Sequence, residues 1–166
     1  MVYFIKLAIN DLRNTIRDHF LVFLLIAYPV MLILFSRILV HIIAPRIETM
    51  FPLAANFPLI LMFFIVIIPF IFSFIVSFLI LDERDEHLLT VLRVMPISRN
   101  SYLLSRLFFM SIFACITLLI FPPLSGLVEG IDFSYIVYIP TAVLFALLTP
   151  FCALLVSSYA ANKVQA

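Results

Sequence analysis

Residues 20–43, 57–81, 102–121 and 135–159 form four apolar runs that between them leave little freedom to the rest of the chain. A helix needs roughly 20 apolar residues to cross the hydrocarbon core of a bilayer. Inside that core no water is present to satisfy backbone N–H and C=O groups, so each run has to be helical. Composition points the same way. Hydrophobic residues make up 66% of the 166 residues and charged residues 11%, against roughly 45–50% and roughly 25% in a soluble domain. Mean hydropathy is +1.28. The chain reads as one all-α integral membrane domain over residues 1–166.

The spans carry few functional side chains. The first, 20–43, contains Pro29 and has Arg37 and His41 at its far end. An ionisable residue inside a membrane is a functional candidate by default, but Arg37 stands close enough to the interface to snorkel outward, and that plainer reading is preferred. Residues 44–56 read as a short external loop. The second span has Pro58 near its start, Pro69 in its middle and a small-xxx-small pair, Ser73 and Ser77, suited to close helix packing. The sharper reading of these serines, together with Thr117 and Thr149, is a polar path for a substrate. The third span is closed by Pro122-Pro123. The loop 122–134 holds Gly126, Glu129, Gly130 and Asp132 and no basic residue. The fourth span contains Pro140 and Pro150, and Ala142, Ala146, Ala153, Ser157 and Ala161 give it a small-residue face for packing.

Residues 2–18 precede the spans. Phe4, Ile5, Ala8, Ile9, Leu12 and Ile16 fall on one side of a helical wheel, and Lys6, Asn10, Arg13, Asn14 and Arg17 on the other. A helix of that kind lies in the membrane interface. The first apolar run is too long for a secretory signal and lacks a small-residue cleavage site. Eight of the basic residues, Lys6, Arg13, Arg17, Arg84, Arg93, Arg99, Arg106 and Lys163, flank one side, and only Arg37 and Arg46 the other. The positive-inside rule therefore places both termini and the segment between the second and third spans in the cytoplasm of a cell inner or plasma membrane.

That segment is the most informative stretch. Residues 82–106 hold four of the nine acidic and four of the ten basic residues. Leu88, Leu92 and Met95 are spaced i, i+4, i+7, one face of a short helix. Pro96 stops that helix and Ser98 caps the next. An apolar face on a cytoplasmic helix, in a loop of 82–101, asks for a protein partner.

Other chemistry is poorly supported. There is no G-x-x-x-x-G-K-[ST] loop and no G-x-G-x-x-G turn, so no ATP or dinucleotide cradle of those kinds and no cofactor is expected. Glu83 and His87 stand i, i+4 and could meet one metal ion, but no second cluster completes a site. Acids there serve to offset a helix dipole and to pair with Arg84 and Arg93. Cys115 and Cys152 fall inside apolar runs and read as small hydrophobes. A net charge of +1 suggests no nucleic-acid partner. A secondary carrier would show internal repeats and buried charges, and mid-span charge is missing here.

The 83–106 segment resembles the cytoplasmic loop of permease subunits of ATP-binding-cassette (ABC) exporters of the type-2 class. That loop reads acidic-basic-acidic, T-L-x-x-L, two residues, T-P-[IV]-S, then Y-L and a basic residue. Here it is Glu83-Arg84-Asp85-Glu86, Leu89, Leu92, Met95-Pro96-Ile97-Ser98, Tyr102-Leu103 and Arg106. His87, Leu88 and Met95 stand where the family commonly has Gly, Thr and Thr. The N-terminal amphipathic helix and the order of spans are similar as well, and the wording is closest to drug-export permeases, fluoroquinolone exporters among them. The resemblance implies a coupling helix that docks on a separate ATPase subunit, with Glu83, Arg84, Asp85 and Glu86 as polar contacts, Leu88, Leu89 and Leu92 as the packed anchor and Pro96 as its end. It implies a transport subunit without an ATPase site of its own, ATP being bound by the partner, and a second permease copy, identical or homologous. Family members usually have six spans, so the chain is expected to be a fragment, a truncated product or half of a split permease. The alternative, from another class, is a non-transporting membrane scaffold whose 82–106 helix recruits a cytosolic partner. A membrane enzyme using the acidic cluster ranks third.

Overall fold

The structure is a computed structural model, and it describes residues 19–48, 52–85, 99–129 and 132–160. The interfacial helix expected at 2–18, the core of the cytoplasmic segment at 86–98 and the tail at 161–166 lie outside the described residues. Helix α1 (His19–Ile38) passes into a π-helical turn (Leu39–Ile43) and a short α2 (Ala44–Ile47). A 3-10 turn (Ala54–Asn56) leads into α3 (Phe57–Asp85). Helices α4 (Arg99–Ser125), α5 (Tyr135–Ala146) and α6 (Leu148–Tyr159) follow. Among the described residues there is no strand.

Four stretches are long and apolar enough to cross a membrane: Phe23–Ile47, Ala54–Leu81, Tyr102–Ser125 and Tyr135–Tyr159. They correspond to the four runs of the sequence. Helix α3 is the centre of the bundle. Its Ile68, Phe72 and Val76 recur every fourth residue and are fully buried, the spacing that puts them on one helical face. They share a core with Met110, Leu118 and Phe121 of α4 and with Ala142, Ala146 and Ala153 of the fourth span. The outward face is as apolar as the inward one. Phe23, Phe63 and Ile136 are 65%, 62% and 84% exposed. Large apolar surface of this extent marks a lipid-facing exterior.

Two helix ends and one interior break differ from the sequence expectation, and each lies beside a proline. The first helix was expected to stop at residue 43 but continues to Ile47. Pro45 in a regular α-helix would clash with the carbonyl four residues back, that of His41. The wider π turn just before it, in which the Ala44 N–H bonds Leu39 O, accommodates the ring. The third span was expected to close at Pro122-Pro123, yet α4 runs on to Ser125. Pro122 cannot donate to Leu118 O, and the Tyr138 hydroxyl on α5 donates to that carbonyl instead, at 2.8 Å. The helix then ends where Gly126 takes φ +78°, a left-handed conformation that glycine adopts without strain. Ser125 Oγ accepts the Leu127 N–H at 3.1 Å. In the fourth span, Pro150 has no N–H for the Ala146 carbonyl, and the helix breaks at Leu147 into α5 and α6.

The substitute bond at Leu118 gives a direct test. Tyr138→Phe is expected to destabilise the bundle by about 0.5–2 kcal/mol, the range for losing one buried hydrogen bond in a membrane protein. Thermal unfolding in a fixed detergent measures it. An unchanged Tm would mean that Leu118 O has another donor.

Candidate functional site

Of the residues proposed to meet a cytosolic partner, Glu83, Arg84 and Asp85 fall in the last turn of α3. Glu86, Leu88, Leu89, Leu92 and Pro96 lie outside the described residues. The consequence is mechanical. The helix that forms the centre of the bundle is unbroken from Phe57 to Asp85, so the start of the charged segment is a rigid extension of the core.

Ser73, Ser77 and Thr149 come together where α3 crosses α6, at 1%, 0% and 0% exposure. Ser73 Oγ stands 2.6 Å from Pro69 O and 2.9 Å from Thr149 O. One turn on, Ser77 Oγ stands 2.8 Å from Ser73 O and 3.1 Å from Ala153 O. Each hydroxyl thus bridges its own helix to the backbone of the other, which requires close approach and explains the small residues at 73, 77 and 153. Thr117 is buried on α4. The hydroxyls of Ser73 and Ser77 are committed to helix packing.

At the opposite end of the bundle from residues 82–106 lies a polar cluster that sequence reasoning missed. Arg37 Nε donates to Leu124 O at 2.6 Å. Arg37 Nη1 lies 3.5 Å from Glu129 Oε1 and 3.2 Å from His41 Nε2. A guanidinium only donates, so the contact is a hydrogen bond in the His41 tautomer whose Nε2 is free to accept. The π turn sets His41 one helical turn after Arg37 on the same side, and the left-handed Gly126 brings the chain round so that Glu129 can reach them. A Cβ at Gly126 would sit 3.5 Å from Glu129 Oε1 and 3.7 Å from Arg37 Nη1. The cluster ties the first span to the end of the third. The signal in the sequence was a lone intramembrane arginine at the same end as a loop with acids and no bases.

The ion pair itself is weak. The Arg37 and Glu129 side chains are 40% and 58% exposed, and an exposed pair contributes about 0.2–1 kcal/mol. A double-mutant cycle with Arg37→Ala and Glu129→Ala is expected to give a coupling energy in that range. Arg37→Ala alone is expected to cost more, because it also removes the donor to Leu124 O. Equal costs for the two single variants would contradict this.

The last feature is a lateral groove of about 560 Å³ between α4 and the fourth span, at the break made by Pro150. Leu104, Phe108, Pro150, Phe151 and Leu154 form its walls, and Ser111 contributes a hydroxyl. Among the described residues no group of three or more His, Cys, Asp or Glu side chains could hold a metal ion.

Four stretches long and apolar enough to cross a membrane, packed about α3 and apolar on their outward faces, define a multi-pass helical membrane protein. Within that class, the chain belongs to the family described as fluoroquinolones export permease protein Rv2686c-like, whose profile it matches over residues 11–166. It is accordingly a permease of an export family, in agreement with the resemblance of its 83–106 segment to drug-export permeases. Neither the curated proteins nor the solved structures contain a match to the chain.

Proposed function

We propose that this permease is the membrane subunit of an ABC exporter, in which a separate cytosolic ATPase drives efflux of a drug-like small molecule. Residues 82–106 dock on the ATPase. Glu83, Arg84, Asp85 and Glu86 make the polar contacts, Leu88, Leu89 and Leu92 pack into its surface, and Pro96 ends the docking helix. The membrane is the cell inner or plasma membrane, with the N-terminus and the docking segment on the cytoplasmic side. A second permease copy completes the translocation unit.

The observation that carries this reading is the continuity of α3. A partner that moves the 82–85 turn moves a helix that reaches the bundle centre unbroken. Ser73 and Ser77 join that helix to α6. Displacement at the cytoplasmic end therefore reaches the fourth span without a flexible joint between. The Arg37–Glu129 cluster holds the far ends of the first and third spans together while that happens.

Purification from the native membrane tests the coupling. The permease is expected to bring with it a subunit that carries a G-x-x-x-x-G-K-[ST] loop and hydrolyses ATP. Replacing Glu83, Arg84, Asp85 and Glu86 together by Ala is expected to release that subunit. A permease that purifies alone and still exports drug would refute the coupling.

A further inference from the structure

The lateral groove has a property that its apolar walls do not explain. Six serines are buried among the described residues: Ser36, Ser73, Ser77, Ser105, Ser111 and Ser125. Five turn their hydroxyls back onto a carbonyl three or four residues earlier, as Ser36 does to Ile33 O at 2.9 Å and Ser105 to Tyr102 O at 2.8 Å. Ser111 does not. It is 7% exposed, lines the groove, and its Oγ has no hydrogen-bond partner. A hydroxyl in an apolar setting without a partner is costly, so the groove favours an occupant that brings a polar atom to this point.

The rest of the groove states what else that occupant is. Its volume of about 560 Å³ lies within the roughly 300–1,000 Å³ of sites that take drug-sized ligands. Phe108 and Phe151, on opposite walls, are 60% and 63% exposed, and rings so placed can stack on a flat aromatic system. The groove opens sideways toward lipid, in the half of the bundle nearer residues 82–106. An acyl chain would fill the space but leave Ser111 without a partner.

We infer that this groove binds a planar, lipophilic aromatic compound of drug size, with a carbonyl or carboxyl oxygen accepting a hydrogen bond from Ser111. It admits that compound from the lipid leaflet on the 82–106 side. The inference rests on the export reading for its physiological meaning, since the bound compound is then the transported substrate before it is moved. Leu107, fully buried behind the groove, and Pro150, which creates the break, shape the floor, while the open side lets the compound in without passing through water.

A fluoroquinolone is the probe, with its intrinsic fluorescence titrated against the permease in nanodiscs without ATP. Wild type is expected to bind saturably. Ser111→Ala is expected to bind about five- to tenfold more weakly, the worth of one hydrogen bond, and Ser111→Thr to keep near-wild-type affinity. Leu154→Trp fills the groove from an exposed position, where folding tolerates a large side chain, and is expected to remove saturable binding at unchanged Tm. Equal binding by wild type and Leu154→Trp would overturn the groove as the site, as would a stoichiometric phospholipid that the drug cannot displace. So would a lack of saturable binding by wild type. Export by Leu154→Trp with wild-type KM would also overturn it and leave the export reading standing. Intact binding with no export by the wild-type complex would strike the export reading and not the groove.

Discussion

Leu92→Asp is expected to abolish drug efflux while the permease accumulates in the membrane at its wild-type level. Leu88, Leu92 and Met95 are spaced i, i+4, i+7, the spacing expected of one helical face, and Leu92 stands four residues before Pro96 in the sequence. In the proposed complex that face is covered by the ATPase. A carboxylate placed there would be buried without a partner, at a cost of several kcal/mol. A loss of about 4 kcal/mol weakens an interface roughly a thousandfold, enough to dissociate the complex at cellular concentrations. Insertion is unaffected, because the substitution lies outside all four apolar runs. Leu92→Ala removes packing without burying a charge and is expected to retain partial export. Glu83→Gln, at the polar rim, is expected to change export less than either, since rim contacts contribute little. Uptake of drug into inverted vesicles, with membrane content measured by immunoblot, distinguishes these results. Wild-type uptake by Leu92→Asp would remove the docking face from the account.

The second large effect is at the crossing of α3 and α6. Ala153 is fully buried, and its carbonyl lies 3.1 Å from Ser77 Oγ. A backbone that close to a neighbouring helix leaves no room for a large side chain. Ala153→Phe is expected to separate the two helices and cost at least about 3 kcal/mol, the upper end of overpacking penalties. Because lipid is as apolar as the bundle interior, no transfer energy offsets the lost packing. Ala153→Gly and Ala153→Ser keep the close approach and are expected to remain folded. Size-exclusion profiles and Tm in detergent report the difference. A monodisperse Ala153→Phe variant with wild-type Tm would show that α6 is free to shift on α3, contrary to the serine bridges seen there.

Much of this architecture was legible in the sequence because a bilayer imposes simple rules. Length and hydropathy located the four spans, and of the five small residues expected to form a packed face Ala142, Ala146 and Ala153 are buried, whereas Ser157 is only partly buried and Ala161 lies outside the described residues. What escaped was set by partners distant in the chain. Nothing near Pro122 announces that Tyr138 will satisfy Leu118 O, so the third span appeared to end four residues early. Arg37 looked like a residue reaching for the interface, whereas it finds Leu124 O and Glu129 across a separation of about ninety positions. The π turn at residues 39–43 follows from Pro45, yet a proline at that point is equally consistent with a helix that stops. The groove depends on how α4 lies against a broken fourth span. Ser111 attracted no notice as one more serine in an apolar run, and only the contrast with five self-satisfied serines makes it informative. The reading of the 82–106 segment rests on residues adjacent in the chain, its pattern of charge, leucine and proline, and of that segment residues 86–98 lie outside the described residues.

The most direct test of the central claim is ATP-dependent accumulation of a fluoroquinolone in proteoliposomes that contain the permease together with the ATPase purified with it. Accumulation is expected to require both proteins and ATP, and to disappear with Leu92→Asp. Drug movement by the permease alone, indifferent to ATP, would contradict it, and so would a complete complex that hydrolyses ATP and moves no drug.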